Sequence, residues 1–260
     1  MNDSDGVLLI GHGTRDENGT REFFELACEL GRRCAPVPVE GCLLEFQRPT
    51  IAEGWDALVA SGVKQIHVAP LLLFAAGHAK QDIPDAIREC ALRTPEIGHL
   101  QTGPLSRSRS IIDLVTRRVS EAAQQHQITI DSSTAVVFVG RGSYDPCAQA
   151  DMRLLGEIVA SRLSLQHHAV AFYAMAEPRL PEVLDQVACT SGVANLIVQP
   201  HLLFQGRLYD AIKRQVNEAM QRHPAMRFFV GEYLGPVAAV ADAIASRIEA
   251  TSVRGAPSRQ

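Results

Sequence analysis

The residues best able to carry chemistry in this sequence are two histidines and a glutamate, each at or just after the end of an apolar run. His12 stands in a Gly-His-Gly turn, Glu45 lies at the end of a second apolar run, and His78 follows a third. Neutral imidazole and carboxylate groups together suit borderline divalent metals, and both can act as general bases near neutral pH. The three side chains therefore predict a site for a divalent metal, for proton transfer or for both.

The elements that must position these side chains are predicted from hydrophobic periodicity. A continuous apolar run is typical of a strand buried on both faces of a parallel sheet. In the first half of the chain the pattern predicts strands over 7–11, 39–46, 65–74 and 97–102, and helices over 18–33, 49–60, 81–92 and 108–125. This alternation indicates a doubly wound, mostly parallel sheet. Because parallel strands end at one edge of a sheet, we expect His12, Glu45 and His78 to line one crevice.

The pattern of the first half starts again at residue 135. The turn around His12 has its counterpart around Arg141, so matching residues lie 129 positions apart (141 − 12 = 129), except along the third apolar run, where the offset is 130 (198 − 68 = 130). A register held over half the chain is much longer than a solenoid repeat and predicts two like domains. We therefore expect an α/β fold with two tandem similar domains, each a doubly wound, mostly parallel four-stranded sheet flanked by helices. The expected arrangement is pseudo-twofold with a central cleft.

The predicted domain boundaries follow this repeat. Residues 1–126 form an N-terminal domain that carries the candidate catalytic residues, and the polar segment 127–134 is the linker. Residues 135–250 form the second domain, and residues 251–260 are expected to be a flexible tail.

The two halves differ at the positions that could do chemistry. The replacements are His12 by Arg141, His78 by Arg207 and Glu45 by Ala174. Arginine has no lone pair to offer a metal, but its planar fork binds carboxylates. Arg141, Arg207 and Lys80 are therefore candidates for binding an acidic substrate. The alternative is that the second half has lost its site and that Arg141 and Arg207 are solvated. A solvated side chain is also the alternative for Lys80.

Composition narrows the class of protein. The chain has 260 residues, of which 46% are hydrophobic and 21% charged, and its net charge of −4 gives no reason to expect a nucleic-acid partner. No apolar stretch approaches the roughly 20 residues needed to cross a bilayer, and the acidic N-terminus is unlike a signal peptide. The six cysteines contain no C-x-x-C pair. We expect a cytoplasmic monomer with no tightly bound cofactor and no membrane partner.

Three stretches resemble the class II chelatases, in particular the group of sirohydrochlorin cobaltochelatases and ferrochelatases in its fused, two-domain form. They are Ile10-Gly11-His12-Gly13-Thr14, Leu44-Glu45-Phe46 before Pro49, and Gly77-His78 followed by Asp82-Ile83-Pro84. The resemblance implies a lyase that inserts Co²⁺ or Fe²⁺, as substrate, into sirohydrochlorin on the routes to cobalamin or siroheme. It places the catalytic, metal-binding histidines at His12 and His78. Glu45 is expected to assist as a proton acceptor or water-mediated ligand.

Two other functions are compatible with a cleft that carries these residues. A non-catalytic carrier of a tetrapyrrole or a metal could use the same cleft. Binding of phosphate or a nucleotide by the turn at His12 is a third possibility, but neither G-x-G-x-x-G nor a Walker pattern is present.

His201 is expected to be a hydrogen-bonded core residue, with a metal or substrate contact as the alternative. His67 is interpreted as solvated.

Overall fold

Strands and helices alternate in the computed structural model, which describes residues 1–2, 4–74 and 81–255. The first sheet contains β1 Asp5–Gly11, β2 Val39–Leu43, β3 Gln65–Pro70 and β4 Gly98–Gln101. The helices that follow these strands are α1 Glu17–Cys34, α2 Ile51–Ala60, α3 Asp82–Arg93 and α4 Arg109–Gln125. The strands pair in the order β2-β1-β3-β4, and every pairing is parallel.

The second sheet repeats this topology. Its strands are β5 Thr134–Gly140, β6 His167–Phe172, β7 Asn195–Pro200 and β8 Arg227–Val230. The helices that follow are α5 Pro146–Arg162, α6 Leu180–Ala188, α7 Arg207–Arg222 and α8 Ala238–Gly255. The order is β6-β5-β7-β8, again with parallel pairings. The prediction of two tandem, four-stranded parallel sheets flanked by helices is confirmed.

Strand β1 lies at the centre of the first sheet because it is apolar on both faces. Residues 7–10 are at most 1% exposed. One face packs into a cluster that contains Trp55, and on the other face a side chain at Gly11 would meet the ring of Phe23 at 2.7 Å. The register places Ile10 between Cys42 on β2 and Pro70 on β3, so these three strands end side by side.

The chain divides by packing into two compact units that do not coincide with the two sequence repeats. Unit 1 comprises Met1–Ser106 and Pro236–Gln260, and unit 2 comprises Arg107–Gly235. In unit 1, α8 packs against α1, β3 and β4, and Arg33 Nε donates to Asp242 Oδ1 over 2.9 Å. In unit 2, α4 packs against α5 and β7. Each unit is thus completed by the last helix of the other repeat.

This exchange of helices changes the domain boundaries expected from the sequence. The predicted domains 1–126 and 135–250 describe the repeats, whereas the compact units change over after residues 106 and 235. The predicted linker 127–134 lies inside unit 2, where Ile128 is buried. The cause is that amphipathic periodicity shows which face of a helix is apolar but not which sheet that face covers.

The ends of several elements also differ from the sequence prediction. Strand β2 ends at Leu43 and β3 at Pro70, so the apolar residues that follow them belong to loops. Helix α8 continues to Gly255, and therefore the first half of the predicted tail is helical. Within the described residues, no helix combines the length and apolar character needed to cross a bilayer.

Candidate active site

The turn after β1 holds His12 in a fixed backbone frame. Gly13 has φ +89°, a left-handed conformation that glycine adopts without a steric penalty. The Thr14 hydroxyl accepts from the Asp16 N–H over 3.1 Å, and the Asp16 carboxylate caps α1 by accepting from the next helical N–H groups. The His12 side chain is half-buried at this turn.

Glu45 lies beside this turn because the loop after β2 continues to pair with it. The Leu44 N–H donates to the Gly11 carbonyl over 2.9 Å, and the Glu45 N–H donates to the His12 carbonyl over 3.0 Å. The Glu45 side chain is exposed. The structure thus brings the backbones of His12 and Glu45 together, although Glu45 lies in the loop two positions beyond β2 rather than at the end of a strand reaching residue 46.

The second repeat keeps the same frame with different side chains. The Tyr173 N–H donates to the Gly140 carbonyl over 2.9 Å, and the Ala174 N–H donates to the Arg141 carbonyl over 2.8 Å. Gly142 has φ +92°, close to the value at Gly13. Unit 2 therefore presents an arginine and an alanine where unit 1 presents an imidazole and a carboxylate.

The predicted substrate-binding arginines are both exposed. Arg141 lies in the turn after β5, directly after the end of that strand. Arg207 is the first residue of α7, which follows Gly206 at the N-cap. The place of Arg141 directly after β5 matches that of His12 directly after β1.

His78 and Lys80, the other two predicted site residues, lie outside the described residues. The chain that leads to them leaves the sheet next to β1, because the Leu71 N–H donates to the Ile10 carbonyl over 2.8 Å. It is described again at Gln81, the N-cap of α3. Within 1–2, 4–74 and 81–255, no three His, Cys, Asp or Glu side chains are grouped so that they could hold a metal ion.

Cysteine does not add a metal ligand to the described part of the site. Cys42 is the residue opposite Ile10 on β2 and is fully buried. Burial raises the pKa of its thiol, and the neighbouring Cys90 adds to the effect. Since the thiolate is the form that binds metal, Cys42 is held in the non-ligating form.

Two further histidines are buried rather than solvent-exposed. His201 follows β7, is 3% exposed, and donates its backbone N–H to the Val139 carbonyl over 2.8 Å. Burial lowers the pKa of its imidazole to about 3, so the ring is uncharged, in agreement with the predicted core role. The interpretation of His67 as solvated is wrong. It is 2% exposed, and its Nε2 atom lies 3.2 Å from Asp5 Oδ2.

Two residues that sequence reasoning did not select as site residues lie at the same turns. Phe46, next to Glu45, is 54% exposed and has φ +70°. The guanidinium carbon of Arg15 lies 5.1 Å from the centre of the Phe46 ring. The sequence feature that could have identified Phe46 is its position: it is a large aromatic residue at the end of the second apolar run, directly after the candidate catalytic Glu45.

Two tandem parallel sheets, each with a Gly-x-Gly turn after its first strand, define an α/β protein of the chelatase-like class. The family model CbiX matches residues 6–122 and 135–251, so the chain belongs to the CbiX family. These two matches follow the repeats rather than the compact units.

Relatives of known name cover most of the chain. A sirohydrochlorin ferrochelatase of Priestia megaterium is 31% identical over 89% of this chain and 84% of its own length. A sirohydrochlorin cobaltochelatase of the same organism is 29% identical over 88% of this chain and 74% of its own length. The structure of SirB from Bacillus subtilis with Fe³⁺ superposes with a TM-score of 0.86 at 27% identity and covers 96% of both chains.

Proposed function

We propose that this protein is a metal chelatase that inserts a divalent cation, Co²⁺ or Fe²⁺, into sirohydrochlorin. The observation that carries the proposal is the hydrogen bond from the Glu45 N–H to the His12 carbonyl, which brings together the backbones of a histidine and a glutamate in the loops that follow two neighbouring strands. The relatives named as a ferrochelatase and a cobaltochelatase support the same reaction. The metal is a substrate, so its site must release it to the ring.

The chemistry of metallation matches this set of side chains. The macrocycle loses two N–H protons while the cation enters, which requires proton acceptors near the ring centre and a transient ligand for the metal. His12 and His78 serve as ligand and base, and Glu45 accepts a proton or binds the metal through water. An imidazole pair is a weak enough ligand set for the cation to be transferred rather than kept.

Arginine and lysine side chains are assigned to the substrate's periphery. Sirohydrochlorin carries several carboxylates, which a planar guanidinium fork can bind in a bidentate manner. Arg141, Arg207 and Lys80 are proposed to make these contacts. The exposure of Arg141 and Arg207 in unit 2 is compatible with this role.

We place the reaction in the cytoplasm and the active form as a monomer. All six cysteines are free thiols in the structure, as is typical of a reducing compartment. One chain already contains both repeats, and therefore needs no second copy to supply the other unit. Light scattering of the purified protein at the assay concentration tests the monomer.

The decisive experiment is an optical assay of sirohydrochlorin metallation with Co²⁺ and with Fe²⁺, in the presence and absence of protein. We expect the wild type to accelerate metallation, and His12→Ala and His78→Ala each to lower kcat/KM by about 10²- to 10⁴-fold. His99→Ala is the matched control, because His99 is exposed on β4 and packs edge-on against Trp55. Undiminished activity in both histidine variants would refute the mechanism. Tight binding of sirohydrochlorin with no acceleration would identify a carrier instead.

A further inference from the structure

Phe46 is an aromatic residue kept in an unfavourable position beside the candidate active site. It is 54% exposed, whereas the other aromatic side chains described in unit 1 are buried or half-buried. Its φ of +70° lies in the left-handed region, which bulky residues rarely adopt. A turn that needed only this backbone shape would accept glycine at no steric penalty. Backbone outliers of this kind cluster at ligand sites, and this one directly follows Glu45.

Arg15 is the second member of the pair. Its guanidinium lies over the Phe46 ring, with 5.1 Å from Cζ to the ring centre, and it has no carboxylate partner among the described residues. The other arginine side chains described in unit 1 do bind an anion or a carbonyl. They are Arg21 with Glu25, Arg32 with Glu29, Arg33 with Asp242, Arg48 with Glu53, Arg88 with Asp85, Arg93 with Asp56, and Arg247 with the Ser106 carbonyl. Arg15 therefore keeps its donors available for an external anion.

The second repeat preserves the backbone at these positions but not the pair. Met175 occupies the position of Phe46 and also has a positive φ, +58°. Tyr144 occupies the position of Arg15 and is 81% exposed. The aromatic ring and the guanidinium thus occur together in the repeat that also carries His12 and Glu45.

We propose that Phe46 and Arg15 form a substrate-contact surface, on which the Phe46 ring stacks against the face of the macrocycle and Arg15 binds a peripheral carboxylate. The inference rests on the proposed function, since it takes a flat, polycarboxylated ring as the ligand. Aromatic rings favour offset stacking on conjugated systems, and a guanidinium over the face of an aromatic ring still has N–H donors to offer an anion. The pair positions the macrocycle next to Glu45 and the His12 turn. Its contribution is to substrate affinity, not to proton transfer.

The test measures binding of metal-free sirohydrochlorin by quenching of its fluorescence, together with steady-state metallation. Phe46→Gly removes the ring and suits the positive φ, and Arg15→Ala removes the guanidinium. We expect each variant to raise the Kd and the KM by about tenfold or more, with kcat at saturation close to that of the wild type. Arg15→Lys, which keeps the charge but loses the fork, should lie between the wild type and Arg15→Ala.

Two exposed residues of unit 1 provide matched controls. Leu92→Ala removes an apolar side chain that is 76% exposed on α3, and Arg21→Ala removes an arginine that pairs with Glu25 on α1. Both controls should bind sirohydrochlorin within about twofold of the wild type. A wild-type Kd in both Phe46→Gly and Arg15→Ala would overturn the inference and leave the proposed function standing. Because the Kd is measured without metal, it decides the inference even if the wild type fails to accelerate metallation, which would refute only the proposed function.

Discussion

Gly13 lies so close to Glu45 that a Cβ atom at position 13 would meet the Glu45 carbonyl oxygen at 2.0 Å. The contact joins the turn that carries His12 to the loop that carries the carboxylate. The second repeat reproduces it, since a Cβ atom at Gly142 would lie 1.7 Å from the Ala174 carbonyl oxygen. The absence of a side chain at these two glycines therefore sets the spacing between the loops.

The first prediction concerns this contact. Gly13→Ala should lower both the stability and the metallation rate, because the new methyl group must push the Glu45 loop away from His12. Gly62→Ala is the control, since Gly62 has nearly the same φ, +88°, and a Cβ atom there would meet no other atom within 4 Å. Both variants should lose about 1–2 kcal/mol from the left-handed backbone, and Gly13→Ala about 1–3 kcal/mol more. Thermal unfolding and kcat/KM measure the difference, and equal losses in the two variants would contradict it.

The second prediction concerns the Glu45 carboxylate. Glu45→Gln keeps the shape of the side chain but removes its ability to accept a proton, so kcat should fall by about 10²-fold with little change in KM. Glu96→Gln, at another exposed glutamate of unit 1, should have no effect. Steady-state metallation kinetics test both variants. A raised KM at unchanged kcat in Glu45→Gln would instead assign Glu45 to substrate binding.

The third prediction concerns Arg141 and Arg207. The double variant Arg141→Ala/Arg207→Ala should raise the KM for sirohydrochlorin more than it lowers kcat, because the lost interactions are with the carboxylates of the substrate. Arg227→Ala, at an exposed arginine of β8, is the control in the same unit. If the KM of the double variant equals that of the wild type, the two arginines are solvated and the second repeat has lost its site.

The fourth prediction concerns stability in acid. Burial lowers the pKa of His201 to about 3 from its ordinary value of 6.5, so the unfolded chain takes up a proton between these pH values and the folded protein does not. Stability that is present above pH 6.5 is therefore lost as the pH falls towards 3, by up to about 1.4 kcal/mol per pH unit from this residue.

His201→Leu should remove this part of the acid sensitivity. The first repeat has Leu71 at the matching place, 4% exposed and bonded by its N–H to the Ile10 carbonyl, so the fold accepts leucine there. Urea unfolding of both proteins at several pH values from 4 to 7 gives the comparison. Parallel stability curves for wild type and variant would show that His201 does not contribute.

Much of the fold could be predicted from the sequence because the central strands are continuous apolar runs, which occur in both halves of the chain. The run that forms β1 is apolar on both faces, and it recurs in β5 with the same flanking glycines, which is enough to predict two parallel sheets. The nearness of His12 and Glu45 followed from parallel strands ending at a common edge.

The packing partners of helices and the burial of single polar residues depend on tertiary contacts, which the local sequence pattern does not predict. The apolar faces of α4 and α8 are visible in the sequence, but which sheet each covers is decided by tertiary packing. His67 looked like a surface residue because it is polar, whereas it is buried in the sheet, where its Nε2 atom pairs with the Asp5 carboxylate. The left-handed turn at Phe46 was hidden because the residue there is not glycine.

The exchange of α4 and α8 has a consequence for anyone who divides this protein. A gene cut between the repeats would encode a first piece whose sheet lacks the cover supplied by α8 and which carries α4 with its apolar side unoccupied. A circularly permuted gene that opens at Arg107 and rejoins the old termini would instead encode each packing unit as one uninterrupted stretch. The two repeats are therefore distinct in the sequence, but neither repeat by itself contains all the helices of one compact unit.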